Sequence, residues 1–382
     1  MTDIQAPGTL DIQGSAPAKF ARVKDAFAAN FAEGAELGAR FTVCIDGEPV
    51  VDLWAGHADR QRTRPWEANT LAPIYSTGKA IMALMMATLV ERGKLDYDQR
   101  MAEVWPAFGQ NGKDRVTIAQ ALSHQAGLAG FMPEQDPTIW FDREAVLRTL
   151  CAQAPMWPPG SASGYHPVTI GYLMGEVFRR VDGRSMGQAI REDFAQPFNL
   201  DYWLGLPDAE HARVCDIQKP SSPPDLGEIT PIKRAAFLDR GSVAGGRGAA
   251  EWRKLEIPSA NGHATSLALA RLLSVIATGG RLDGKHILSA GTVAQATRER
   301  IFGPDLVLPF KLSWGAGFLR NREIKVYGPG AFAVGHSGWG GSCAFADPET
   351  RLSGAYVMNK QSPHLIGDPR SLRLIEAVYA AL

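Results

Sequence analysis

The chain has 382 residues, 45% of them apolar, enough to bury one large core or two coupled ones. Forty basic side chains balance forty acidic ones at a sequence pI near 7.1, so no basic field draws nucleic acid or an anionic membrane surface. The longest apolar stretch, residues 80–90, falls well short of the roughly 20 residues a membrane span needs.

The leader MTDIQAPGTLDIQGSAPAKF is polar, with neither a basic start nor an apolar segment, so no signal peptide is expected and a cytoplasmic location is. Cys44, Cys151, Cys215 and Cys343 are scattered without CxxC or metal-ligand spacing, which predicts reduced, buried thiols. No HExxH or HxH pairs the histidines, so neither a metal nor a cofactor is expected.

Residues 17–34 carry Phe20, Val23, Phe27 and Phe31 at helical spacing, predicting an amphipathic helix. ARFTVCIDGEPVVDLWAG follows, two β-rich runs around Asp46-Gly47 that predict a hairpin. Then comes a helix packed with Met, Leu and Ala, entered through Tyr75-Ser76-Thr77-Gly78-Lys79. The long middle shows helical patterning broken by Pro and Gly loops, as in TIAQALSHQAGL, REAVLRTLCAQ, TIGYLMGEVFRRVDG and SLALARLLSVIATGG. Strand signals return near the far end in LSWGAGFLR, IKVYG, AFAVGHSG and GSCAFADPETRLSGAYVMN, and residues 370–382 predict a closing helix. The economical architecture is an α/β protein of the α+β type. Residues 1–95 and 305–382 would build one antiparallel sheet flanked by helices, residues 96–304 a mostly helical second domain, with a ligand cleft between them.

Ser76 and Lys79 are three residues apart, so on a helix they share a face about 5–6 Å apart at Cβ. A serine hydroxyl is a poor nucleophile until a base takes its proton, and a lysine kept from water has its pKa pulled down into that role. The backbone N–H of a serine in a first helical turn is also free to hold a developing oxyanion. An SxxK arises by chance in a chain this long, so context decides. Tyr165 stands in a Pro/Gly/Ser loop, PPGSASGYHP, directly before an amphipathic helix. His336-Ser337-Gly338 ends a strand and is followed by Trp339-Gly340-Gly341.

In this order and spacing the three segments resemble the serine β-lactamase and penicillin-binding-protein superfamily, over most of the chain. Within it the chain is similar to the family VIII carboxylesterases, the class C β-lactamase-like esterases, through PSANGHATSLALARLLSVIATGG and GHSGWGG. The resemblance implies a β-lactamase/transpeptidase-like fold with Ser76 as nucleophile and Lys79 and Tyr165 sharing general base and acid duty. Either of the two can be the group that takes the serine proton. It also implies an oxyanion hole from the backbone N–H groups of Ser76 and Trp339.

Three departures set the expected substrate. Tyr165-His166-Pro167 has proline where the β-lactamases keep an amide-holding asparagine, and Phe131 stands where a second amide-gripping glutamine is expected. His336, neutral for much of the time near pH 7, replaces the lysine that faces a substrate carboxylate. The substrate-facing set is then His336, Ser337, Gly338, Trp339 and Phe131. Such a site loses specificity for polar substrates. The expectation is a carboxylic-ester hydrolase taking small, short-chain acyl esters through an acyl-enzyme, with weak β-lactam hydrolysis as a side activity. A class C-like β-lactamase or D-alanyl-D-alanine carboxypeptidase is the alternative. A non-enzymatic penicillin-binding-like protein comes third, since Ser76, Lys79 and Tyr165 are all present.

Other motifs fall away. Residues 160–164 (GSASG) have alanine at the centre and residues 335–339 (GHSGW) lack the final glycine, so no G-x-S-x-G elbow exists. AGGRGAAEW, residues 244–252, reads as a flexible loop at the cleft entrance rather than a phosphate loop. His124 reads as packing, and Trp157, Trp203 and Trp252 are candidates for an acyl pocket or for core.

Overall fold

Two apolar runs from opposite ends of the chain, GARFTVCI and LSGAYVM, pair with each other at the centre of the protein. The structure, a computed structural model, describes residues 10–244 and 249–382. Its main sheet has nine antiparallel strands: β1 (Gln13–Ser15), β2 (Gly38–Ile45), β3 (Glu48–Gly56), β4 (Ile301–Pro304), β5 (Lys311–Trp314), β6 (Leu319–Arg320), β7 (Val334–Ser337), β8 (Cys343–Asp347) and β9 (Leu352–Met358). Their order is β1-β3-β2-β9-β8-β7-β6-β5-β4, so the N-terminal hairpin joins the C-terminal strands through Ala39↔Met358 to Ile45↔Leu352. Asp46 and Gly47, at φ 53° and 87°, make the tight turn the sequence signals.

Seven helices matter here: α1 (Ala21–Ala32), α2 (Gly78–Glu91), α3 (Ile118–Leu122), α4 (Arg143–Ala152), α5 (Thr169–Asp182), α6 (Ser266–Ala277) and α7 (Pro369–Tyr379). Side-chain alternation sorts the sheet's two faces. Phe41, Val43, Phe345 and Tyr356 pack with Phe20, Phe27 and Leu374 of the α1/α7 side. Ala344, Ala346 and Ala355 face the other way, and their small size lets α6 lie close against β2, β8 and β9. Thr42 and Ser353 fasten that contact, with Oγ1 2.6 Å from Ser266 Oγ and Oγ 2.7 Å from the Ala270 carbonyl. α2 is apolar all round and buried from Gly78 to Leu89, as a central helix must be.

The α1/α7 side also holds a buried ion cluster. Arg370, at the start of α7, pairs with Glu36 at 3.1 Å and Asp368 at 2.8 Å, and donates to the carbonyls of Ala35, Gly340 and Lys360. Glu36 accepts a further hydrogen bond from the Tyr356 phenol.

Several elements differ from the sequence expectations. IKVYG is not a strand: Asn321 Oδ1 accepts from the N–H groups of Val326 and Tyr327, and its amide donates to the carbonyls of Gly328 and Gly330. One polar side chain thus replaces a neighbouring strand. β1 and β4 are short, weakly patterned edge strands that the sequence does not announce. TIAQALSHQAGL gives only the one-turn α3, because the chain turns left-handed at His124 (φ 64°). Two elements of the stretch expected to form the helical lobe, α6 and β4, belong to the sheet layer.

Candidate active site

The chain reaches the site through Ile74 and a 3₁₀ turn, Tyr75–Thr77, that runs straight into α2. Tyr75 is left-handed at φ 48°, a sharp entry that leaves Ser76 half-buried and Lys79 one turn inside. Lys79 is 1% exposed. Its Nζ lies 3.0 Å from Ser76 Oγ, 2.7 Å from the Pro167 carbonyl and 2.9 Å from the Ser259 carbonyl. Among the described residues no carboxylate pairs with it, and burial holds its ammonium well below the ordinary lysine range.

Tyr165 closes the third side. Lys79 Nζ sits 4.8 Å from the centre of its ring, and burial pushes the phenol up, with the Ser76 hydroxyl opposing that rise. The ring is walled by His124, His336 and Trp314 at centroid distances of 4.9, 5.9 and 6.0 Å. Those histidines are neutral. Burial first, and the nearby Lys79 second, bring His336 down to about 3; burial brings His166 to about 3 as well, with the Gly164 carbonyl opposing and Lys79 adding to the fall. His166 faces the Gly164 carbonyl with Nδ1 (2.6 Å) and accepts the Leu128 N–H at Nε2 (2.9 Å), which places its proton on Nδ1. His336 Nδ1 lies 2.8 Å from the Ser337 carbonyl, fixing the same tautomer.

The end of β7 is fastened to the Ser76 turn by Ser342. Its hydroxyl lies 3.1 Å from the Ile74 carbonyl and 3.0 Å from Thr77 Oγ1, and its carbonyl accepts the Gly338 N–H at 2.7 Å. A Cβ on Gly338 would sit 2.3 Å from Ser342 Oγ and 2.5 Å from the Ile74 carbonyl, so only glycine permits this approach. Trp339 follows, with a backbone N–H that makes no hydrogen bond among the described residues. The cleft over Ser76 has a cavity volume of ≈ 170 Å³, with walls that include Phe237, Trp252, Leu308, Trp339 and Ile366. No Asp, Glu, Lys or Arg lines it among the described residues.

Of the residues singled out from sequence, Ser76, Tyr165, His336, Ser337 and Trp339 line this cleft, with Lys79 directly beneath. Phe131 does not. It is 2% exposed, its ring 4.7 Å from that of Trp140, because the 129–131 segment is pressed against the backbone of Ala235. Gly338 is not among the cleft-lining residues; it packs against Ser342, the Ile74 carbonyl and Thr77. Of the three tryptophans named as acyl-pocket candidates, Trp252 lines the cleft, whereas Trp157 and Trp203 do not. Residues 245–248 of the AGGRGAAEW segment lie outside the described residues; Val243 and Ala244 before them are cleft-lining. Sequence reasoning passes over Ser259, Ser342, Phe237 and Asp305. Ser259 stands in the PSANGHATS segment, but a role exerted through a backbone carbonyl leaves no side-chain signature.

The four cysteines are free and buried, and no group of three His, Cys, Asp or Glu side chains could hold a metal among the described residues. No helix there is long and apolar enough to cross a membrane.

Comparison with known proteins identifies the family of the chain. The beta-lactamase family model matches residues 23–378, so the chain belongs to the beta-lactamase family. It is 36% identical over 360 residues to the esterase/beta-lactamase LipL of Mycobacterium tuberculosis, covering 91% of this chain and 82% of that protein. Among solved structures it is similar to a novel penicillin-binding protein homolog from Caulobacter crescentus (59% identity, TM-score 0.96, 97% of this chain and 100% of that one). It is also similar to a family VIII carboxylesterase (41% identity, TM-score 0.92, again 97% and 100%).

Proposed function

We propose that this protein is a serine carboxylesterase that hydrolyses uncharged, short-chain acyl esters through a covalent acyl-enzyme on Ser76. Its relatives make it a hydrolase with the esterase/beta-lactamase fold, and the carboxylesterase neighbour supports ester hydrolysis.

The observation that carries the reading is the cradle of Lys79. Two of its three neighbours, the carbonyls of Pro167 and Ser259, can only accept hydrogen bonds. A neutral amine directs its two N–H bonds to them, and its lone pair then faces the Ser76 hydroxyl at 3.0 Å. Lys79 is thereby the better base of the two candidates, since burial keeps the Tyr165 phenol protonated. Ser76 Oγ attacks the ester carbonyl carbon as its proton passes to Lys79 Nζ. The carbonyl oxygen becomes an oxyanion held by the N–H groups of Ser76 and Trp339. As the bond to the alcohol breaks, Tyr165 gives its proton to the leaving oxygen and is reprotonated by Lys79. Water then attacks the acyl-enzyme with the proton transfers reversed, releasing the acid and restoring Ser76.

The cleft argues for an ester. A β-lactam or cell-wall peptide brings a carboxylate, and no cationic side chain lines the cleft among the described residues to receive it. The four buried free cysteines fit a reducing, cytoplasmic setting. The description of the Caulobacter neighbour as a penicillin-binding protein homolog favours a β-lactam- or peptide-directed second reading. One experiment separates them: turnover of p-nitrophenyl butyrate against a chromogenic cephalosporin, with mass mapping of a fluorophosphonate adduct. The ester should be the far better substrate, and the label should fall on the peptide holding Ser76. Preference for the cephalosporin would establish the second reading, and a label on another peptide would end both.

A further inference from the structure

Tyr165 belongs to no helix or strand, yet a proton donor has to be held to a fraction of an ångström. What holds it is a row of backbone contacts. The N–H groups of Gly164, Tyr165 and His166 donate in turn to the His124 carbonyl (2.9 Å), Asp305 Oδ1 (2.9 Å) and His124 Nδ1 (3.1 Å).

Asp305 is unusual in that company. It follows β4 at 7% exposure and, among the described residues, pairs with no cation. Its Oδ1 accepts not only from Tyr165 but from the N–H groups of Val307 (2.9 Å) and Leu308 (3.0 Å). The Leu306 N–H donates back to the Ser163 carbonyl at 2.9 Å, so the tyrosine loop and the 305–308 turn are joined twice. Leu308 lines the cleft. Burial raises the carboxyl's pKa, and three N–H donors on one oxygen oppose that rise.

We propose that Asp305 is a positioning residue for the reaction: a single carboxylate oxygen clips Tyr165 to the turn that carries Leu308, fixing the proton donor and one cleft wall in a common frame. The assignment rests on reading Tyr165 as the donor. It explains why a buried carboxylate stands where no charge partner exists, because an oxygen accepting three convergent N–H groups is what the loop lacks. An asparagine offers the same oxygen; an alanine offers none.

The test measures kcat and KM on p-nitrophenyl butyrate for Asp305→Ala and Asp305→Asn, each alone and combined with Tyr165→Phe, with thermal melts as the check on folding. Asp305→Ala should lose about 10- to 100-fold in kcat, the scale of a small misplacement of a catalytic group. Asp305→Asn should recover to within about threefold of the parent. With the phenol removed by Tyr165→Phe, adding Asp305→Ala should cost less than about threefold more, because the two act as a unit. Should Asp305→Ala not fold, Asp305→Glu, which keeps the charge but displaces the oxygen by one methylene, takes its place with the same expected loss. An undiminished loss in the Tyr165→Phe background would make Asp305 merely structural and overturn the proposal. So would a parent-like kcat in Asp305→Ala when Tyr165→Phe is impaired. Full turnover in Tyr165→Phe alone would instead remove the reading of Tyr165 on which the clip depends.

Discussion

Lys79 and Arg370 are both cations withdrawn from water, and their surroundings differ in kind. Arg370 has two carboxylates, Glu36 and Asp368, and three carbonyls around its guanidinium. Every direction in which it donates is answered, and it stays charged. Lys79 has two carbonyls and a serine hydroxyl, with no carboxylate paired to it among the described residues. The first arrangement ties the segment before β2, the turn after β7 and the start of α7 into one frame. The second holds an amine where its charged form is disfavoured, which costs stability and is what the proposed role as base requires. The lesson is that burial alone does not say what an ionisable group is for; the sign of its partners does.

Substitutions can break this contrast. The largest effect is expected at the reacting cluster: Ser76→Ala and Lys79→Met should each lower kcat/KM by about 10⁴-fold or more. Lys79→Met should at the same time raise Tm, since it replaces a buried amine that has no carboxylate partner among the described residues by an apolar side chain of similar length. A lower Tm in that variant would mean that Lys79 is not held at a cost. Arg370→Met is expected to do the reverse, losing about 3–5 kcal/mol of stability to two carboxylates left without their cation, with a loss of kcat in the folded fraction far smaller than that of Lys79→Met. Equal damage to turnover and stability there would dissolve the distinction.

The subtlest expectation concerns pH. The pKa of Lys79 is lower in the folded protein than the ordinary value of 10.5 that it has in the unfolded chain. Between those two values the unfolded chain binds the extra proton, so stability rises with pH through the window and is lowest beneath it. Unfolding free energies measured from neutral pH to about 10.5 should climb more steeply in the parent than in Lys79→Met. Coincident slopes would show that Lys79 carries its charge in the folded state.

How much of this was legible beforehand differs from element to element. The Asp46-Gly47 hairpin, the late strands around His336 and the apolar helix behind Ser76 announce themselves because their signals are local: turn chemistry, alternation, and an unbroken run of Met, Leu and Ala. IKVYG misleads for the same reason, since its β-branched pattern says nothing of Asn321 waiting to take its hydrogen bonds. Phe131 misleads because a position aligned to a family motif carries no information on whether its side chain turns to the cleft or to Trp140.

The residue types and their order along the chain determined by themselves that a serine, a lysine three places on and a loop tyrosine were the groups to consider, and that fixed charge was scarce around them. Only the tertiary structure decided that Lys79 is dry, that the carbonyls of Pro167 and Ser259 orient it, and that Asp305 clips the tyrosine loop. The reason is physical. Those partners lie 88, 180 and 140 residues away along the chain from the groups they hold, and two of them act through main-chain oxygens that every residue possesses.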